Sequence, residues 1–148
     1  MLTQACLVTK KVIHIGITSD ILLTKKAYST YIEPYAERER LVRDFVTRLA
    51  PNLEVCFFEL QDPVGIAGEL SELQACILTK ETQKGGEMIN EARSKNGLPP
   101  LELVFADMIL TSDPSSEADE KFSNKMSSTM IRKYLDSTTA EEQKNPAL

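Results

Sequence analysis

Apolar positions along this chain follow two periods in alternation. Ile13, Ile15 and Ile17 fall on every second position, with Val12, His14 and Gly16 between them, and that pattern predicts a strand over residues 11–17. Leu41, Val42, Phe45 and Leu49 recur at helical spacing, with Arg and Glu on the other face. They predict a helix over 37–49, stopped by Pro51 and Asn52. The β-rich run 53–60 predicts a second strand and 75–79 a short buried one. Residues 83–95 present Met88, Ile89 and Ala92 on one helical face, ended by Asn96-Gly97 and kept from continuing by Pro99 and Pro100. A strand over 101–110, a polar and acidic loop over 111–124 and a last helix from Ser128 to Leu135 complete the series, with Ile131, Tyr134 and Leu135 expected inward. Residues 2–10 read as the later turns of a helix that lacks a capping signal, and the tail from Asp136 as frayed.

Strand and helix alternate throughout, which implies an α/β fold with a parallel sheet flanked by helices. Such sheets take ligands beyond the carboxyl ends of their strands. Four polar segments fall at those ends: Thr18 to Lys26, Asp62 to Ile66, Thr79 to Gly86, and the loop running into Ser127. They are expected to converge on one crevice.

Composition narrows the functional classes. The 148 residues suffice for one domain with a real core, and 42% hydrophobic content is ordinary for a globular protein. A net charge of −5 argues against broad attraction to nucleic acid or an anionic membrane, though a local cationic pocket fits. With no long apolar run and no signal-peptide pattern, the expected compartment is the cytoplasm. Cys6, Cys56 and Cys76 are far apart, odd in number and set among apolar neighbours, so they read as buried, inert thiols. His14 is the only histidine and is expected to pack within its strand; no metal-ligating set is singled out.

The strongest candidate chemistry lies in Lys125-Met126-Ser127-Ser128-Thr129-Met130-Ile131-Arg132. Two hydroxyls at a helix start, with Arg132 one turn further on, make a compact anion site, since the first-turn N–H groups and the helix dipole favour negative charge. The plain alternative is a helix cap, the commonest use of Ser and Thr at such a position. Thr24-Lys25-Lys26 follows the first strand, where a lysine pair can hold phosphate as point charges or stand as a solvated surface pair. Thr79-Lys80-Glu81-Thr82-Gln83-Lys84-Gly85-Gly86 joins a strand to a helix, either as an anion-receptive turn or as a flexible helix start; it is not a Walker A motif. Glu37-Arg38-Glu39-Arg40 reads as a helix turn with intrahelical ion pairs, from which Arg38 could still point into the crevice.

Taken in order, these segments resemble the eukaryotic and archaeal type of phosphopantetheine adenylyltransferase, in the nucleotidylyltransferase superfamily. The resemblance is carried by Gly16-Ile17-Thr18-Ser19-Asp20 with Leu22-Leu23-Thr24-Lys25-Lys26, Ile32-Glu33-Pro34-Tyr35 with Glu37-Arg38, and Asp62-Pro63 with Gly65. It continues through Thr79-Lys80-Glu81-Thr82 with Lys84-Gly85-Gly86 and Ile89-Asn90, then Gly97-Leu98, and ends with the Lys-x-Ser-Ser-Thr-x-Ile-Arg run. The resemblance implies a Rossmann-like nucleotidylyltransferase fold over residues 1–136, a cytidylyltransferase-like domain, with 137–148 as a flexible C-terminal tail. It implies transfer of AMP from ATP to 4′-phosphopantetheine, giving dephospho-coenzyme A and pyrophosphate, with Mg2+ accompanying the nucleotide. Ser127, Ser128, Thr129 and Arg132 would then hold the ATP phosphates. Lys25 or Lys26 would bridge the reacting phosphates. Thr79, Glu81 and Thr82 would serve adenine and ribose, and Asp62 and Gly65 the pantetheine arm. It leaves room for fusion to, or association with, a dephospho-coenzyme A kinase.

The chain departs from the family pattern twice. The family's first strand, its Gly-Gly-Thr-Phe-Asp-like loop and its His-x-Gly-His-like element have no counterpart, so the expected fold lacks its first, central strand. Val64 and Ile66 stand where the family loop commonly has Tyr and Pro. The expectation is therefore an adenylyltransferase that is at best very weak as written. Its rivals are a non-catalytic module binding nucleotide or coenzyme A and a cytidylyltransferase-like enzyme with another phosphate substrate.

Overall fold

The structure, a computed structural model, describes residues 1–107 and 127–144, without the side chains of 139–144. The far end of the strand expected over 101–110, and the loop expected over 111–124, lie outside the described residues. The chain divides into two compact units. One comprises Met1–Leu22 and Glu33–Asp107; the other comprises residues 23–32 and the described part of 108–148.

The larger unit carries α1 (Leu2–Val8), β1 (Val12–Thr18), α3 (Tyr35–Leu49), β2 (Glu54–Leu60), β3 (Ala75–Leu78), α4 (Gln83–Lys95) and β4 (Glu102–Phe105), and all but the last residue of α2 (Asp20–Leu23), which directly follows β1. The expected parallel sheet is present as two parallel pairs, β1 with β2 and β3 with β4, each made by a strand–helix–strand crossover. Glu54 N–H donates to the Lys11 carbonyl and Ser19 N–H to that of Leu60, so the odd residues of β1 face β2 and the even ones face away. By the same logic Glu102 N–H to Gln74 and Ala106 N–H to Leu78 turn Ala75 and Ile77 of β3 away from β4.

The alternation read from the sequence sets the core. Ile13, Ile15 and Ile17 are buried against Ala5 and Cys6 of α1 and Val46 of α3, with Leu2, Tyr35, Val42, Val55, Phe57 and Ile77 packed around them. Of the stripe expected on α3 only Val42 turns inward, joined by Val46, which the expected stripe did not include. Val46 is fully buried and Val42 partly so, whereas Leu41, Phe45 and Leu49 are exposed. The reason is geometric. Residues 42 and 46 lie one turn apart on the side that faces β1, and the 41–45–49 row is rotated about 100° away from it. Arg43 stacks over the Phe57 ring at 4.3 Å and joins α3 to β2. Gly86 lets α4 lie close on its sheet: a Cβ there would sit 2.5 Å from Leu78 Cδ1 and 3.0 Å from Leu103 Cδ2. That glycine serves helix–strand packing.

Candidate functional site

In the smaller unit, α5 (Ser128–Lys144) continues well past the end expected at Leu135. Ser127 caps it: its Oγ accepts from Met130 N–H at 3.2 Å and its carbonyl from Ile131 N–H at 3.1 Å. The N–H groups of Ser128 and Thr129 then stand at the positive end of the helix. Arg132 folds back onto this turn, donating from Nη2 to Thr129 Oγ1 at 3.1 Å, and it reaches Ala27 O from Nε at 3.2 Å. Ala27 directly follows Lys25 and Lys26, whose side chains are exposed and in no ion pair among the described residues. The Lys segment is a tight turn, with Lys26 N–H on Leu23 O, Tyr28 in the left-handed region at φ 57° and a single helical turn at Ser29–Tyr31. The sequence-predicted phosphate residues of the two segments therefore meet through Arg132. Ile131, Tyr134 and Leu135, expected inward, are exposed. Among the described residues of their unit they have only segment 23–32 to pack against.

In the larger unit, the loop after β2 is built around Asp62. Its Oδ1 accepts from Gly65 N–H at 2.7 Å and Val64 N–H at 2.8 Å, and these bonds hold the carboxyl below its ordinary pKa. Gly65 sits at φ 54°, and a Cβ there would lie 2.5 Å from Leu60 Cδ2. Leu60 and Phe58 also abut Gly16, so the loop lies against the same side chains as the carboxyl half of β1. One carboxylate oxygen of Asp62 thus shapes the loop.

At the end of β3 the threonines bond to each other. Thr79 N–H donates to Thr82 Oγ1 at 3.1 Å, the Thr82 hydroxyl donates to Thr79 O at 3.2 Å, and the two Oγ1 atoms are 3.3 Å apart. Their hydroxyls set the turn into α4 and keep spare acceptor capacity. Glu81 is exposed on the same turn.

A cleft at the carboxyl ends of β1 and β2 is lined by Ser19, Ile21 and Leu22, within the polar segment expected at a strand end, and by Glu59 and Gln61, which sequence reasoning did not single out. Ser19 is buried, with its N–H on Leu60 O at 2.9 Å. Its signal was its place in the Gly16-to-Asp20 stretch. Arg38 does not enter this cleft. It bonds Glu33 O, Thr18 O and Asp20 Oδ1, at 2.8, 2.8 and 2.5 Å. Asp20 Oδ2 accepts from Tyr35 N–H at 3.2 Å, so a distant carboxylate caps α3. That backbone bond, and then Arg38, hold Asp20 below its ordinary pKa. The remaining ion pairs of the Glu37–Arg40 turn are intrahelical as read, Arg40 with Glu37 and Asp44 and Arg43 with Glu39.

His14 is half-buried in β1 opposite Cys56, and all three thiols are free. Burial pushes the Cys76 thiol up, away from nucleophilic use. Among the described residues no helix is long and apolar enough to cross a membrane, and no three acidic, His or Cys side chains gather as metal ligands.

No family model matches the chain. It is 32% identical over 140 residues to a phosphopantetheine adenylyltransferase of Saccharomyces cerevisiae, spanning 44% of that protein. It is 31% identical over 127 residues to the enzyme of that name from Pyrococcus abyssi, covering 73% of it. The enzyme of the same name from Pyrobaculum aerophilum is 31% identical over 137 residues, 81% of its length. A crystal structure of a protein of unknown function from Archaeoglobus fulgidus shares the fold, with a TM-score of 0.54 at 24% identity, over 64% of this chain and 67% of that one.

Proposed function

The chain belongs to the phosphopantetheine adenylyltransferase family, and from that premise we propose that it transfers AMP from ATP to 4′-phosphopantetheine, forming dephospho-coenzyme A and releasing pyrophosphate. The phosphate oxygen of 4′-phosphopantetheine attacks the α-phosphorus of ATP, and the bond from that phosphorus to the bridging oxygen of pyrophosphate breaks. Such a reaction asks the protein for orientation and positive charge rather than covalent chemistry.

The observation that best supports this reading is the Arg132 pair of bonds, to Thr129 Oγ1 and to Ala27 O. They fix a guanidinium at the positive start of α5 and beside the segment that carries Lys25 and Lys26. On this reading the Ser128 and Thr129 N–H groups, the Ser128 hydroxyl and Arg132 hold the ATP phosphates, with Ser127 contributing as the cap. Lys25 or Lys26 meets the reacting phosphates. Thr79, Glu81 and Thr82 serve adenine and ribose, and the Asp62–Gly65 loop serves the pantetheine arm. Mg2+ bound with ATP would supply neutralisation of polyphosphate charge, and the lysines and Arg132 would complement it at the phosphates. These water-soluble substrates suit a cytoplasmic enzyme. A dephospho-coenzyme A kinase, fused or associated, would consume the product.

Turnover by this chain is proposed to be slow. Its single histidine is held in β1, so the charge developing in the transition state falls to the lysines and Arg132. One positioned donor contributes about 2–4 kcal/mol, or roughly a hundred- to a thousandfold in rate.

The test is calorimetry with ATP, CTP, 4′-phosphopantetheine and coenzyme A, beside an assay for dephospho-coenzyme A. ATP binding lost in Ser128→Ala with Arg132→Ala, together with slow product formation, upholds the proposal. Binding without product points to a nucleotide- or coenzyme A-binding module, preference for CTP points to a cytidylyltransferase-like enzyme, and ATP affinity untouched by the double substitution overturns the assigned site.

A further inference from the structure

Arg93 is the largest fully buried side chain among the described residues. It stands in the last turn of α4, yet it makes no ion pair with any described residue. Nε donates to Pro99 O at 2.8 Å, and Nη1 donates to both Ala67 O at 2.9 Å and Leu70 O at 2.7 Å. Nη2 is buried with no hydrogen-bond partner among the described residues. A buried guanidinium without a carboxylate carries a large desolvation cost. Leu or Met would fill the same volume without that cost, but neither can join three carbonyls from two separate chain segments.

The neighbours of Arg93 extend the pattern. Asn90 exchanges two bonds with Leu101, and Asn96 Nδ2 donates to Gly68 O at 3.0 Å. Residues 90, 93 and 96 are spaced by three and share one side of α4 and its cap. Two of them grip the same short stretch, Ala67, Gly68 and Leu70. Gly68 is pressed so close that a Cβ would lie 3.2 Å from Ala92 Cβ and 2.8 Å from Val64 Cγ1. The loop that starts at Asp62 is thus held at both ends, by the Asp62 carboxylate at its start and by Arg93 and Asn96 at its finish.

We propose that Arg93 is the positioning residue of the 62–70 loop. It sets the loop's conformation, and through it the affinity for the substrate's uncharged pantetheine arm, without touching either substrate. The second part rests on the role given to this loop above; the first part does not. A lysine in this place keeps the charge but not the fork, so it can satisfy only part of the carbonyl set.

The experiment compares the full chain with Arg93→Lys and Asn96→Ala. Amide hydrogen exchange is followed at Val64, Gly65 and Leu70, and calorimetry is run with ATP and with 4′-phosphopantetheine. In Arg93→Lys those amides are expected to exchange roughly tenfold faster or more, and 4′-phosphopantetheine affinity to fall by a similar factor, while ATP affinity stays within about twofold. Asn96→Ala, which loses only the bond to Gly68 O, gives the same split in smaller measure and decides the matter if Arg93→Lys does not fold. Unchanged loop exchange in a folded variant overturns the proposal. So does an equal loss of affinity for both ligands, which marks Arg93 as general scaffolding. If the unsubstituted chain binds no 4′-phosphopantetheine, the pantetheine assignment fails instead, and loop exchange alone decides the positioning role.

Discussion

Arg38 donates from Nη1 to the backbone carbonyl of Thr18 at 2.8 Å, and that carbonyl lies on the side of β1 turned away from β2. The same arrangement closes the outward edge of β3, where Thr79 N–H is taken by the Thr82 hydroxyl. Each open edge is therefore sealed at its carboxyl end by a side chain, that of β1 by the distant Arg38 and that of β3 by the neighbouring Thr82, while Val12, His14 and Gly16 of β1 and Ala75 and Ile77 of β3 have no backbone partner among the described residues. The amides of His14, Gly16 and Ile77 should exchange at least about tenfold faster than those of Ile13, Ile15 and Ile17, which face β2. Native-state hydrogen exchange resolved by NMR reads this directly. Equal protection of odd and even residues along β1 would show that the outward edge is paired.

The core makes a sharper prediction than the helix pattern did. Val46 has no solvent exposure, so Val46→Ala should cost roughly 2–3 kcal/mol in urea-induced unfolding. Phe45 is 45% exposed, and Phe45→Ala should cost about 1 kcal/mol or less despite the larger side chain removed. The reverse order would mean that α3 packs through its 41–45–49 row.

What was legible in the sequence divides along physical lines. The alternation of Ile13, Ile15 and Ile17 fixed both the strand and its buried face, because a period of two leaves no choice of side. The helix expected over residues 37–49, and observed as Tyr35–Leu49, was equally plain, yet its buried row was not. Its apolar residues cover a wide arc, and only the position of β1 decides that Val42 and Val46 turn inward. The polar ends of strands were found from chain order. The use of each polar group was not, since Asp62 and Thr82 bond within their own turns, and Asp20, Arg38 and Arg93 act on backbone atoms 15 or more residues away, which no local pattern encodes.

The first turn of α5 separates capping from anion binding. Ser127 Oγ accepts from Met130 N–H, while the Ser128 hydroxyl has no partner among the described residues. Ser127→Ala should lower the stability of the helix by about 1 kcal/mol, and Ser127→Gly by only a few tenths. Ser128→Ala should leave stability within about 0.5 kcal/mol and act on ATP affinity instead. Thermal melts followed by circular dichroism, paired with ATP calorimetry, distinguish the two hydroxyls. Loss of stability in Ser128→Ala would move the cap by one residue and weaken its assignment to phosphate.

The Asp62 turn predicts a pH dependence with a definite sign. Hydrogen bonds from Gly65 N–H and Val64 N–H stabilise the ionised carboxylate, so its pKa is lower in the folded loop than in the unfolded chain. The stabilisation is therefore complete above the unfolded value of about 3.9 and is lost as pH falls through the lower, folded value. Amide resonances of Val64 and Gly65 should hold steady down to the ordinary carboxylate range and then move together, with a common midpoint below it. Asp62→Asn keeps an acceptor oxygen, so the turn should persist in weaker form and the acid-dependent movement should vanish. A midpoint at or above the ordinary aspartate value, or an unchanged acid response in Asp62→Asn, would mean that another group governs the loop.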